Sequence, residues 1–214
     1  MKNPTLAYVW DPLCAWCYAF SPVIHKMMDR YSKEFNFEII TGGMATGNRV
    51  GPVSEKALYI KKKLPDLERI SGIKFSEKYY RLLDEGTAIN DSLPPSIAFH
   101  VLKSLRRDLA MEFAGEIQDA LFQQGKDLNQ IKVYLAVAEN HEVNKHAFME
   151  YYEDPGFKKM AENDFSLSRT WGVVKYPSLV LLTETDARII HKGYADYESL
   201  EKTIIHVTDP GGAS

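Results

Sequence analysis

The sequence predicts an α/β protein in which a small sheet is shared between the two ends of the chain, with an all-helical segment inserted between its halves. Three observations carry that prediction. An apolar run, Leu6 to Trp10, leads straight into Asp11-Pro12-Leu13-Cys14-Ala15-Trp16-Cys17-Tyr18 and then into helix-like sequence. From about Thr46 to Trp171 the chain shows helical periodicity and no confident strand. Strand signals return only around Pro177, giving a division at 1–45, 46–171 and 172–214.

Each element has a local reason. Thr5 to Trp10 is almost continuously apolar, as expected of a strand covered on both faces. A helix follows from about Cys14 to Tyr31, and Pro22 inside it removes one backbone donor and predicts a kink. Phe35, Phe37 and Ile39 alternate with Asn36, Glu38 and Ile40, so a second strand runs to about Thr41 and ends at Gly42-Gly43. Gly, Pro, Asn and Asp then punctuate helices at Val53 to Lys63, Ser76 to Leu83, Pro94 to Leu105, Leu109 to Gln124, Asn129 to Asn140, Lys145 to Tyr152 and Pro155 to Thr170. Ser178 to Leu182 and Arg188 to His191 form a hairpin across the turn at Glu184 to Ala187. Glu198 to Val207 fits a terminal helix, followed by a loose tail, Asp209 to Ser214. The tyrosines at Tyr79, Tyr80, Tyr151 and Tyr152 read as packing residues, and Lys61-Lys62-Lys63 as a solvated face.

The chemistry is concentrated in the two cysteines, which are the only two in the chain. Residues i and i+3 of a helix share a face about 5–6 Å apart, so Cys14 and Cys17 are spaced to close a disulfide with little backbone movement. Cys14 falls at the leading end of the helix, where free N–H groups and the dipole favour a thiolate. A hundredfold preference for the anion takes about 2.7 kcal/mol, and a helix dipole supplies ~0.3–1 and at most ~2. Hydrogen bonds to the sulfur must contribute the rest. Cys17, one turn in, is the covered partner. A C-x-x-C is also half of a zinc site, but four ligands are needed. No third cysteine exists, and His25, His100, His141, His146, His191 and His206 form no ligand-like cluster near the pair. Two incidental core cysteines remain as the plain structural alternative.

Composition narrows the function classes. The 26 basic and 29 acidic side chains leave a net charge of -3, which gives no electrostatic case for nucleic acid or an anionic membrane. No run approaches the length of a membrane span, and the few residues before Asp11 are too short for a signal sequence, so the expected location is the cytoplasm. In that reducing compartment a cysteine pair is expected to be catalytic rather than structural.

The element order, the Asp11 to Tyr18 motif and Gly172-Val173-Val174-Lys175-Tyr176-Pro177-Ser178-Leu179-Val180 together resemble the DsbA family of thiol-disulfide oxidoreductases, in particular its cytosolic FrnE-like branch. The resemblance spans the chain and implies a thioredoxin-like fold with a helical insertion. It implies that Cys14 is the attacking and Cys17 the resolving residue, and that the Tyr176–Pro177 bond is cis. The backbone of Tyr176 would pair with an extended substrate segment while its ring overhangs the sulfurs. Trp16 is either an exposed substrate contact or a ring folded onto the helical segment. Tyr8 stands where thioredoxins hold a buried acid, and Asp11 reads either as a loop or cap carboxylate or as a proton-transfer group. The Ala15-Trp16 dipeptide lacks the histidine of the strongly oxidising relatives, so a less oxidising couple is expected.

The resulting expectation is a thiol-disulfide oxidoreductase or isomerase acting on protein or small-molecule disulfides, as a monomer or homodimer. No metal or organic cofactor is expected to be required, with glutathione as a possible redox partner. Two alternatives stand beside it: a glutathione-dependent isomerase or transferase of the kappa type, and a non-enzymatic adaptor on the DsbA-like frame.

Overall fold

The structure is a computed structural model and describes residues 3–208; the expected tail at Asp209 to Ser214 lies outside the described residues. Strand β1 (Thr5–Trp10) sits at the centre of a four-stranded sheet ordered β2-β1-β5-β6, with β2 at Asn36–Thr41, β5 at Ser178–Leu182 and β6 at Ala187–Lys192. It runs parallel to β2, reached through helix α1 (Ala15–Tyr31), and antiparallel to β5. The sheet therefore joins segments from both ends of the chain, as the sequence predicted.

β1 is buried on both faces because side chains alternate along a strand. Leu6, Tyr8 and Trp10 enter the main core with α1 and the helical segment, whereas Ala7 and Val9 pack with Ile40, Val173 and Val180 on the other side. This double coverage places the end of β1, and hence Asp11 to Cys14, in the interior between the sheet and the helices. Helix α1 continues through Pro22 from Ala15 to Tyr31.

The helical segment comprises α2 (Ser54–Ser71), α3 (Glu77–Glu85), α4 (Leu93–Leu105), α5 (Ala110–Phe122), α6 (Ile131–Asn140), α7 (Lys145–Glu153) and α8 (Pro155–Thr170). Helix α9 (Tyr197–Thr208) closes the fold against α1 and β6. These agree with the sequence reading to within two residues at most ends, and α2 is the exception. It runs eight residues beyond Lys63, through Pro65, to a left-handed cap at Gly72 (φ 76°). A proline within a helix costs about 3 kcal/mol, but Ala57, Leu64 and Leu67 are all buried on one face and hold the helix together across it. A two-residue antiparallel ribbon, β3 (Gly51–Pro52) with β4 (Ile89–Asn90), also lies within the segment read as strand-free. Two residues are too few to show a period. Tyr79 is a core side chain, while Lys61 pairs with Asp84 rather than standing only in solvent.

Candidate active site

Cys14 is the N-cap of α1, in extended conformation, with its Sγ accepting the Cys17 N–H at 3.3 Å. That is the backbone donor a helix start leaves without an intrahelical partner. A sulfur placed there stabilises the helix, and the helix stabilises negative charge on the sulfur. The Cys14 thiol also lies 3.7 Å from the Tyr176 carbonyl oxygen, to which it donates. The two motifs separated by more than 150 residues thus meet at one atom, and the Tyr176–Pro177 bond is cis. The two sulfurs are not bridged.

The pair is asymmetric. Cys14 retains 5% exposure and lines a cavity, whereas Cys17 is 0% exposed. Burial pushes the Cys17 thiol well above its ordinary range, and the hydrogen bond and charge of Cys14 push it in the same direction. Tyr8 stands beside this buried sulfur, with its hydroxyl donating to the Cys17 carbonyl at 3.5 Å. Burial, then the nearby cysteines, hold that phenol far from ionisation.

Asp11 fixes the loop that carries Cys14. Its Oδ2 accepts the Met44 N–H at 2.7 Å; its Oδ1 accepts the Leu13 N–H at 3.0 Å and the Ser92 hydroxyl at 3.1 Å. Ser92 in turn accepts the Ala45 N–H at 2.9 Å. The carboxyl is pushed upward by burial, and these donors pull partly against that shift. Of the two sequence readings of Asp11, the geometry matches the loop carboxylate: its oxygens face backbone and hydroxyl donors from three parts of the chain. Gln118 of α5 completes the clamp, donating through Nε2 to the carbonyls of Asp11 at 3.0 Å and Cys14 at 3.3 Å.

The Tyr176 ring is placed differently from the sequence reading, and Trp16 stands on the exposed side of its two alternatives. The Tyr176 ring is turned onto Gly42, donating its hydroxyl to the Gly42 carbonyl at 2.6 Å, and it is the backbone carbonyl that meets the sulfur. Gly42 has no side chain to obstruct this: a Cβ there would lie 2.1 Å from a ring carbon of Tyr176. Trp16 is 36% exposed and leans on Tyr194, with ring centroids 6.1 Å apart, in the connection between β6 and α9 rather than against the helical segment. It also lines the cavity beside Cys14.

That cavity, about 460 Å³, lies between the start of α1, the loop after β2, and helices α2, α3 and α5. Sequence reasoning missed its far wall and the anchors Ser92 and Gln118. The apolar repeat Val53, Ala57, Ile60, Leu64 and Leu67 was the available signal for the wall. Among the described residues, no group of three or more His, Cys, Asp or Glu is arranged to hold a metal ion, and no helix is long and apolar enough to cross a membrane.

Known proteins share this architecture. A candidate protein disulfide isomerase from Nitrosomonas europaea superposes with a TM-score of 0.86 at 23% identity, covering 99% of this chain and 100% of that one. The cytosolic disulfide reductase DsbM from Pseudomonas aeruginosa gives 0.79 at 22% identity, covering 96% and 98%. In sequence, the ClpXP adapter protein SpxH of Bacillus subtilis is 23% identical over 179 residues, which is 83% of this chain but 58% of that protein. The chain thus spans less than two thirds of that relative's length. The sequence profile of the Thioredoxin family matches residues 8–202. With a four-stranded thioredoxin-type sheet, a C-x-x-C at the head of α1 and a cis Tyr176–Pro177 bond whose carbonyl meets Cys14, the chain belongs to the thioredoxin family and carries an inserted helical segment.

Proposed function

We propose that the protein is a thiol-disulfide oxidoreductase that works through Cys14 and Cys17. The observation that carries the reading is the asymmetry of the pair: one sulfur caps a helix and reaches a cavity, and the other is sealed one turn behind it. Cys14 as thiolate attacks a substrate disulfide, forms a mixed disulfide and releases one substrate thiolate. Cys17 loses its proton and attacks the Cys14 sulfur, releasing the second substrate thiolate and leaving a Cys14–Cys17 disulfide. Two electrons pass from protein to substrate, and the reverse sequence oxidises a dithiol.

The proposed partners are thiol- or disulfide-containing molecules, with glutathione as electron partner; DsbM, similar in fold, has been solved with glutathione. The proposed setting is the cytoplasm, as for DsbM. No cofactor enters the proposed cycle. The test is trapping. Cys17→Ser accumulates covalent mixed disulfides on Cys14 when mixed with a disulfide substrate, and Cys14→Ser does not. No adduct on Cys17→Ser, with a disulfide the unmodified protein reduces, overturns the assignment.

A second reading is favoured by one observation, the similarity to SpxH across 83% of this chain. In it the protein is an adaptor and its partners bind without redox chemistry. Partners that remain bound when both cysteines are replaced by serine support the adaptor; partners lost with Cys14 support the oxidoreductase. The kappa-type transferase makes no use of a resolving cysteine, so turnover that survives Cys17→Ser would favour it.

A further inference from the structure

The cavity beside Cys14 has its own chemistry. Its volume, about 460 Å³, lies in the range of sites that enclose small molecules. Its walls are apolar, built from Leu13, Val53, Ile60, Leu64, Tyr79 and Leu128. Two cations stand on one wall: Lys56 and Lys63, two turns apart on the same side of α2 and so about 10 Å from each other along the axis. Both are exposed, and among the described residues neither is within ion-pair distance of a carboxylate. The acid on the lining, Asp127, is already engaged, its Oδ1 accepting the Asn129 backbone N–H at 2.9 Å and the Asn129 side-chain amide at 2.8 Å. An apolar chamber with a sulfur at one end and two unpaired ammonium groups on its wall selects a ligand of matching pattern.

We propose that this cavity is a binding site for a small aromatic or otherwise apolar thiol or disulfide that bears an anionic group. The ligand's sulfur meets Cys14 and its anion lies between Lys56 and Lys63. The inference deepens the oxidoreductase reading and rests on it for the chemistry. With a disulfide ligand RSSR, the Cys14 thiolate forms Cys14–S–S–R and expels RS⁻. Cys17 then displaces the second RS⁻, so the protein loses two electrons and the ligand gains them. A single turnover of pre-reduced protein needs no further reductant.

The test compares pre-reduced protein reacting with the dianionic aromatic disulfide dithiobis(nitrobenzoate), the neutral aromatic dithiodipyridine and the small neutral hydroxyethyl disulfide. Each rate is divided by that disulfide's rate with free cysteine. The expected order places the dianionic aromatic first and hydroxyethyl disulfide last. Lys56→Ala with Lys63→Ala lowers the ratio of the dianionic to the dipyridyl rate about fivefold, the size of two solvent-exposed ion pairs. Leu64→Trp, which fills the chamber, lowers both aromatic rates relative to hydroxyethyl disulfide. Equal normalised rates that neither set of substitutions moves would overturn the site, even with disulfide exchange intact. Binding is read separately on Cys14→Ser with anilinonaphthalene sulfonate, whose fluorescence enhancement is expected to weaken about fivefold in affinity on losing both lysines. No enhancement, or enhancement indifferent to the lysines and to Leu64→Trp, overturns it independently of any redox result.

Discussion

Replacing Asp11 by alanine tests whether the loop carrying Cys14 is held by the interior of the protein. The carboxylate accepts three hydrogen bonds, from the Leu13 N–H, the Met44 N–H and the Ser92 hydroxyl. Asp11 and Ser92 are both wholly buried, so water does not freely replace what is lost. Leaving a buried donor unpaired costs about 1–3 kcal/mol; counting the fully buried Ser92 hydroxyl and the Met44 N–H, the shortest of the three bonds at 2.7 Å, gives about 2–6 kcal/mol gross. Relief of the burial that pushes the carboxyl upward offsets part of this. A net loss of about 2–3 kcal/mol at neutral pH is expected. For a chain of this size that is a fall in Tm of about 5–10 °C, read by thermal unfolding of the reduced protein. The sign of the pH dependence is also fixed. A carboxyl raised in the folded state contributes stability that is fully present below its unfolded pKa and is lost as pH rises through its folded pKa. The gap between the unsubstituted protein and Asp11→Ala therefore narrows from acid toward neutral pH. A Tm change below about 1 °C, or a gap that widens over that range, would refute the reasoning.

Three further outcomes follow from the same geometry. Gly42→Ala places a Cβ against the Tyr176 ring, so it displaces the segment whose carbonyl meets Cys14. It should cost about 1–3 kcal/mol as an overpacking change and slow mixed-disulfide formation, measured on a Cys17→Ser background. Gln118→Leu removes the donor shared by the Asp11 and Cys14 carbonyls and is expected to lower stability by about 1–2 kcal/mol in urea unfolding. Because Cys17 is held well above its ordinary range by burial, release of a mixed disulfide should accelerate about tenfold per pH unit from neutral into alkaline solution, followed in stopped flow; a rate flat in that range would contradict the buried-thiol assignment.

The sequence revealed what is local and left out what is distant. A strand running into a C-x-x-C, a helix after it and a late proline before another strand are neighbouring residues with strong patterns, so the sheet and the redox pair were legible. The tie from Asp11 to Met44 spans 33 residues, the tie to Ser92 spans 81 and the Gln118 clamp spans 107; no periodicity encodes such pairings. Tyr176 shows the same limit at short range. Its position beside Pro177 was readable, but whether its ring covers the sulfurs or rests on Gly42 depends on space that only the folded chain defines. Helix α2 passed through Pro65 because buried Leu64 and Leu67 outweigh a local rule.

The most direct measurement is equilibration of the protein with glutathione buffers of graded potential, followed by mass analysis of the cysteine-containing peptide. One two-electron transition, tenfold per ~30 mV, is expected between the dithiol and a Cys14–Cys17 disulfide. Accumulation of glutathione on Cys14 with no internal disulfide at any potential would contradict it.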